Sequence, residues 1–262
     1  MWGTRAVTVL VTAAAFSLLI ACGGSSSLKP TLTPSQAAQL FPLTSESAHF
    51  TYHYATDLPV DPVSQEAFYD WIVAQMGVAP TQKIQYYRYV NAQSIQAATG
   101  HLADGYADPP GVTVHTVNPW ENHEVVHLLT YIIGPSTDFF GEGFAVAMQV
   151  DPASHNFTPT RLGTPVHDLA RLYKSNGTLP RAIDIATSDA FQHSGIPAAV
   201  TYTAAGSFME YLAEKYGIAK SLQLFHFANR DVPFSTIDAR FQQIYGISMA
   251  QADSDWRAFL AQ

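Results

Sequence analysis

The sequence has only one cysteine, Cys22, among its 262 residues. A single thiol can form neither an intramolecular disulfide nor a thiolate cluster, so any metal ligands must be His, Asp or Glu. Charged residues are also scarce, at 13%, and the formal net charge is -8. The chain has no basic stripe that could contact phosphates, which argues against a nucleic-acid-binding protein. Hydrophobic residues make up 47% of the chain, which predicts a globular domain rather than a disordered one.

The N-terminal residues form an apolar run that follows a single basic residue, Arg5, and ends in Leu-Ile-Ala-Cys at residues 19–22. This segment resembles a bacterial lipoprotein signal, in which small residues precede the cysteine that receives the lipid. The resemblance implies that residues 1–21 are a signal peptide and that Cys22 is lipidated. We therefore expect a protein tethered to a membrane of the bacterial cell envelope, facing outside the cytoplasm. An ordinary export signal or an uncleaved anchor is the alternative.

Residues 22–45 are rich in Ser, Thr, Pro and Leu and are predicted to form a flexible tether. Residues 46–262 are predicted to form one α+β domain with two lobes, whose boundary lies near residues 134–140. Alternating apolar residues predict strands at 49–54, 83–90 and 112–117, and helical spacing predicts helices at 64–76 and 92–99. The second lobe is predicted to be mainly helical, with helices at 142–150, 166–175, 202–216, 219–228, 236–245 and 248–260.

Residues 123–127 have the sequence His-Glu-Val-Val-His, in which His123 and His127 are separated by one helical turn. At 100° per residue, these two histidines and Glu124 lie within an arc of roughly 100° on a helix. Two imidazoles so spaced can bind zinc, and the glutamate between them can act on a water molecule. We expect this helix to begin after Asn118, with Asn118 as its N-cap, because Pro119 and Glu121 follow at favourable positions.

A catalytic zinc ion usually has three protein ligands and one open position. Glu142 is the predicted third ligand, at the start of a second helix and between two glycines that allow close approach of the backbone. The alternative is that Glu142 only interacts favourably with the N-terminus of its helix.

These two segments together resemble the gluzincin branch of zinc metallopeptidases, whose third ligand is a glutamate on the helix after the motif helix. Residues 202–208, Tyr-Thr-Ala-Ala-Gly-Ser-Phe, followed by Tyr216 and Gly217, are similar to a helix found in bacterial peptidases of this kind. The resemblance spans about residues 49–260 and implies a zincin-like fold. Phe144 and Gly141 depart from the residues common in the family at their positions, but neither is a proposed ligand.

The resemblance implies a peptidase that hydrolyses peptide bonds with a metal-activated water. Zn²⁺ would be held by His123, His127 and Glu142, and Glu124 would be the general base. By analogy with gluzincins, Tyr202 is the candidate donor to the transition-state oxygen. The expected partners are a peptide or protein substrate and, through the lipid, a membrane. An extended substrate could pair with the strand near residues 105–107 or with the one at 112–117.

Two other functions remain open at this level. The chain could be a catalytically silent surface lipoprotein that keeps a zincin-like fold to bind a partner, or a zinc hydrolase that cleaves cell-wall crosslinks. The other eight histidines show no ligand spacing and are predicted to be structural or exposed. The oligomeric state has no sequence signature.

Overall fold

The computed structural model describes residue 36 and residues 39–262 of the chain. The predicted signal peptide, Cys22 and most of the predicted tether lie outside these residues. The first strand begins at Leu43 and pairs with the strand that follows, so the end of the range assigned to the tether belongs to the domain. None of the helices in the described part combines the length and the apolar character needed to cross a membrane.

The N-terminal half contains a five-stranded mixed sheet in the order β1-β2-β3-β5-β4. The central strands β2, β3 and β5 are parallel, and the outer strands β1 and β4 are antiparallel to their neighbours. Side chains that alternate along the central strands are fully buried on one face, among them Phe50, Tyr86 and Val114. The strands are β1 (Leu43–Glu46), β2 (Phe50–Tyr54), β3 (Ile84–Arg88), β4 (Gly105–Asp108) and β5 (Thr113–Thr116).

Three helices accompany this sheet: α1 (Pro62–Met76), α2 (Ala92–Thr99) and α3 (His123–Ile133). Helix α1 starts where Asp61 accepts a hydrogen bond from the backbone of Ser64, as an N-cap should. Buried side chains of α1 and α3 share one hydrophobic cluster with the sheet, whereas α2 packs into a smaller separate cluster. Helices α1 and α3 therefore cover the face of the sheet that forms the main core.

The C-terminal half is helical apart from a short hairpin, β6 (Thr160–Arg161) and β7 (Thr164–Pro165). The prediction of one helix over 219–228 is wrong, because a four-residue helix passes into a 3₁₀ turn at Leu222–Leu224. The helices are α4 (Asp138–Ala147), α5 (Val166–Ser175), α6 (Ser188–His193), α7 (Ala198–Tyr216), α8 (Ile218–Ser221), α9 (Phe234–Tyr245) and α10 (Met249–Phe259).

Helices α4 and α7 approach so closely that glycine is required on both. A Cβ atom on Gly143 would lie 2.6 Å from the carbonyl oxygen of Ala205, and one on Gly206 would lie 2.2 Å from Cγ1 of Val146. The main hydrophobic cluster continues from the sheet through these helices to the C-terminal helix. The described chain therefore has a mixed α/β architecture, with its sheet in the first half and most of its helices in the second, as the spacing of apolar residues predicts.

Candidate metal centre

Helix α3 begins at His123 with Asn122 at the N-cap position, four residues later than the predicted N-cap at Asn118. The side chain of Asn122 makes no capping hydrogen bond, and the buried carboxylate of Glu121 instead accepts a hydrogen bond from the backbone N–H of His123 at 3.0 Å. The other carboxylate oxygen accepts from Thr116 Oγ1 and Asn118 Nδ2, each at 2.9 Å. The prediction that Asn118 caps the helix is therefore wrong, and Asn118 instead helps to orient the carboxylate of Glu121.

The three predicted ligands converge on one point. Oε2 of Glu142 lies 3.1 Å from Nε2 of His123 and 3.3 Å from Nε2 of His127, and the two imidazole nitrogens are 3.1 Å apart. Side-chain exposure is 3% for Glu142, 9% for His123 and 16% for His127, so solvent reaches the group from the side of His127. Two residues from one helix and one from the next thus form a single, nearly enclosed group.

The spacing of these three atoms fits a zinc ion. Ligands about 2.0–2.2 Å from zinc at the corners of a tetrahedron are about 3.3 Å from one another. The measured separations of 3.1–3.3 Å agree with that value. The three residues are also one of three groups among the described residues whose ligand atoms are close enough to share a cation.

The electrostatics of the group depend on the carboxylate. Burial lowers the pKa of His127, but the adjacent Glu142 carboxylate outweighs burial and raises it to about 9. Burial raises the pKa of Glu142, but the two imidazoles outweigh that effect and hold it well below its usual range. Without a cation, the group would therefore be a buried ion pair between protonated His127 and Glu142.

Glu124 lies beside the triad and is buried. Burial raises its pKa to about 7, against the opposing effect of the two histidines. Its Oε2 atom is fully enclosed and accepts no hydrogen bond from the described residues. A carboxylate in this condition is poised to take a proton near neutral pH, as a general base must.

The edge strand β4 passes directly over Glu124. A Cβ atom on Gly105 would lie 2.7 Å from Oε1 of Glu124, so any other residue at this point of the strand would force the Glu124 side chain to shift. Of the two strands predicted as candidates for substrate pairing, β5 is hydrogen-bonded on both sides by β3 and β4. Among the described residues, strand β4 is paired on one side only, so its other edge is the one open to a substrate strand.

Glu142 is the fifth residue of α4, which begins at Asp138, so the prediction that it starts the helix is wrong. An interaction with the helix N-terminus therefore does not account for its position, because that effect is confined to the first turn. The two flanking glycines also differ. Gly143 is needed for the contact with α7, but a Cβ on Gly141 would meet no atom within 4 Å.

The turn between α3 and α4 is held by a distant part of the chain. Gly134 has a φ of 147°, and a Cβ at this position would lie 2.6 Å from the carbonyl oxygen of Phe225. Ser136 donates a hydrogen bond to the carbonyl of Leu224 at 2.7 Å, and the N–H of Phe227 donates to the carbonyl of Pro135 at 3.1 Å. This clasp fixes the helix with the two histidines relative to the helix with Glu142.

Tyr202 is 98% buried on α7, and its ring packs 5.3 Å from that of Phe191. The guanidinium of Arg161 also lies over the Tyr202 ring, 4.8 Å from its centroid. Burial lowers the pKa of Arg161, and the nearby Tyr202 and Glu142 raise it. Sequence reasoning missed Arg161, because one arginine in a two-residue strand has no spacing that ties it to Glu142.

The remaining histidines mostly serve the packing of the domain, as predicted. His53 stacks on Tyr87, and His115 stacks between Tyr87 and Tyr106. His49 forms an ion pair with Glu66. His167 differs from these, since it faces two carboxylates on a neighbouring helix.

Comparison of the chain with protein-family models, with curated proteins and with solved structures gives no match. The function of the site must therefore be inferred from its own chemistry.

Proposed function

We propose that this protein is a zinc-dependent peptidase with a zincin-like fold and a gluzincin-type site. The observation that carries the proposal is the convergence of Nε2 of His123, Nε2 of His127 and Oε2 of Glu142 at separations of 3.1–3.3 Å. The enclosed carboxylate of Glu124 lies next to them, where a general base is needed. A ligand set and a base brought together in this way support hydrolysis better than they support simple metal storage.

Each residue has a distinct role in the proposed reaction. His123, His127 and Glu142 would hold zinc, which acts as a Lewis acid that polarises a carbonyl group and lowers the pKa of water. Glu124 would accept a proton from the attacking water and later donate it to the leaving amine. Strand β4 packs against the side chain of Glu124, which limits movement of the proposed base.

The peptide substrate is proposed to bind along β4. An extended chain can add to an open strand edge through backbone hydrogen bonds. Because these bonds do not involve side chains, this mode of binding suits unfolded segments of any sequence. Gly105 places this edge against the side chain of Glu124. A peptide bond held on β4 would therefore lie next to the proposed base.

Two residues are candidates for the donor that stabilises negative charge on the carbonyl oxygen. Tyr202 is the candidate that the sequence predicts. Arg161 lies against the Tyr202 ring, and the charge of Glu142 acts on its guanidinium. Nε of Arg161 is fully enclosed and makes no hydrogen bond to the described residues. We expect Tyr202→Phe and Arg161→Gln to separate the two, since loss of the true donor should lower kcat by about a hundredfold.

The proposed location follows from the N-terminal sequence alone. Lipidation at Cys22 would hold the domain at a membrane of the bacterial cell envelope, with the site facing outside the cytoplasm. Labelling with a radioactive fatty acid, compared between the wild type and Cys22→Ser, tests this part. Equal labelling of the two proteins would contradict it.

The experiment that tests the activity compares the wild type with Glu124→Gln. We expect the purified wild type to contain zinc and to cleave casein or a peptide library, and the variant to retain zinc and lose about a hundredfold or more in kcat. Glu66→Gln is the matched control, since this carboxylate is hydrogen-bonded to His49 and is not one of the proposed ligands, and the change should leave both properties unchanged.

Two other results would replace the proposal. Zinc binding with no cleavage that distinguishes the wild type from Glu124→Gln would favour a silent binding lipoprotein. Cleavage of muropeptides but not of proteins, again dependent on Glu124, would favour a hydrolase of cell-wall crosslinks.

A further inference from the structure

We propose that the helical half of the protein contains a second site for a divalent transition metal, formed by His167 on α5 with Glu210 and Glu214 on α7. Nε2 of His167 lies 3.1 Å from Oε2 of Glu210 and 3.6 Å from Oε2 of Glu214. The three ligand atoms all lie within 4.8 Å of one another. This proposal does not depend on the proposed peptidase activity, because none of the three residues belongs to the first site.

The polar atoms at the centre of this group are not satisfied by hydrogen bonds. Nε2 of His167 and Oε2 of Glu210 are fully enclosed, and neither has a hydrogen-bond partner among the described residues although they are 3.1 Å apart. Glu210 is only 9% exposed. A buried carboxylate with no donor is costly, and a cation between the two atoms would satisfy both of them at once.

The imidazole of His167 is positioned by a hydrogen bond on the side of the ring away from the carboxylates. Its Nδ1 atom is 2.8 Å from Oγ of Ser207, which also accepts a hydrogen bond from Nε1 of the fully buried Trp256 at 3.0 Å. The serine oxygen has a second lone pair, which can accept the N–H of Nδ1. This contact fixes the ring, and in the tautomer that has its proton on Nδ1 the lone pair of Nε2 is directed at the two carboxylates, as is usual for a metal-binding histidine.

The ligand set indicates which kind of cation would bind. One imidazole with two carboxylates suits zinc or a similar first-row transition metal better than calcium or magnesium, which prefer oxygen ligands alone. The two carboxylates match the charge of a divalent ion. Arg171, on the same helix as His167, is paired with Asp168 at 2.8 Å, and its positive charge also acts on Glu210 and Glu214.

The site opens to solvent on the side of Glu214, whose side chain is 57% exposed. A cation can therefore enter without unfolding of the domain. Bound there, it would tie α5 to α7, the helix that also packs against α4 beneath Glu142. Val166, next to His167, already contacts α7 at Gly206, where an added Cβ would lie 3.3 Å from its Cγ2 atom.

The test is the number of zinc ions bound per full-length chain, measured by equilibrium dialysis and elemental analysis. We expect two ions in the wild type and one in each of His167→Ala, Glu214→Gln and His123→Ala. The double variant His123→Ala/His167→Ala should bind none. Glu66→Gln is the matched control, because its hydrogen-bonded carboxylate should leave the count at two.

A second measurement uses His123→Ala as the background, so that the first site does not contribute. Zinc should raise the Tm of this variant, and the additional change Glu214→Gln should weaken its zinc affinity by at least about tenfold. Glu214 is at the surface, so this change should not prevent folding, which circular dichroism can verify. If His123→Ala binds no zinc, or if Glu214→Gln and His167→Ala both bind as much as the wild type, the second site does not exist. A failure of the first site would instead appear as no loss of zinc on changing His123.

Discussion

Two groups of His and Glu side chains differ in how their polar atoms are satisfied. In the first group, Oε2 of Glu142 faces two imidazole nitrogens at 3.1 and 3.3 Å, and those nitrogens face each other. In the second, Glu66 accepts hydrogen bonds from the backbone of His49 at 2.8 Å and from the hydroxyl of Ser47, and its other oxygen pairs with Nδ1 of His49 at 2.6 Å.

The difference lies in the number of protons available to each group. Glu66 has a separate donor for every contact, so its group is complete as an ordinary surface ion pair, with His49 40% exposed. The first group has three contacts among three ligand atoms, and its two imidazole Nε2 atoms carry at most one proton each, so they cannot supply a donor for every contact. Residue type and proximity are thus shared by both groups, and only convergence on a common point distinguishes a metal centre.

The largest expected effect is on zinc affinity. Glu142→Gln removes a charged ligand and should weaken zinc binding by more than about a hundredfold, whereas Glu66→Gln should leave it unchanged. Competition with a chelator, measured in a Glu214→Gln background to silence the second proposed site, checks this. Equal affinities in the two variants would remove the distinction between the groups.

The next effect concerns the scaffold of the first group. Gly206→Ala places a Cβ 2.2 Å from Val146 and should destabilise the fold by about 2 kcal/mol through overpacking of α4 on α7. Gly141→Ala adds a Cβ in open space within a helix and should stabilise the protein by up to about 1 kcal/mol. Urea denaturation measures both. A neutral Gly206→Ala would mean that the helix holding Glu142 can shift freely.

A smaller effect is expected at β4. Gly105→Ala should displace the carboxylate of Glu124 and lower kcat by about tenfold, with zinc retained. Gly111→Ala is the control. Its added Cβ would meet Oδ2 of Asp108, which is the end of a side chain that can rotate away. Peptide hydrolysis by the two variants tests whether β4 positions the base, and equal rates would show that it does not.

The smallest effect is expected in the group formed by Glu66 and His49. Burial would raise the pKa of Glu66, but hydrogen bonds from Ser47 and His49 outweigh it and lower the pKa below its usual value. Its ionised form therefore stabilises the fold above its unfolded pKa of about 4.3, and this contribution disappears as the pH falls through the lower folded value. Glu66→Gln should cost less than about 1 kcal/mol at pH 7 and nothing near pH 2. Unfolding at both pH values measures it, and a cost that grew in acid would be inconsistent with this interpretation.

Much of the arrangement around α3 could be predicted from sequence, because it depends on local spacing. His123, Glu124 and His127 share a helix face as their separation requires, and Glu142 meets them across one turn. The exact start of the helix could not be predicted, since the N–H of His123 is satisfied by Glu121, whose carboxylate is held by Thr116, a residue of the sheet. Local propensity cannot anticipate a helix start that tertiary contacts select.

Features that depend on distant segments escaped prediction altogether. His167 has no ligand spacing in sequence and meets Glu210 from 43 positions away only because α5 packs on α7. Arg161 likewise reaches Tyr202 through the path of a short hairpin. Their positions follow from the three-dimensional packing of helices, which no pattern of 3.6 or 2 residues encodes.

The clasp formed by residues 224–227 has a consequence for shortened forms of the protein. A proteolytic fragment that ended before this segment would still contain His123, Glu124, His127 and Glu142. It would lack the carbonyl and amide groups that anchor the bend at 134–136. A search for the motif would score such a fragment as intact, although the hydrogen bonds that hold the bend between its two metal-binding helices would be gone.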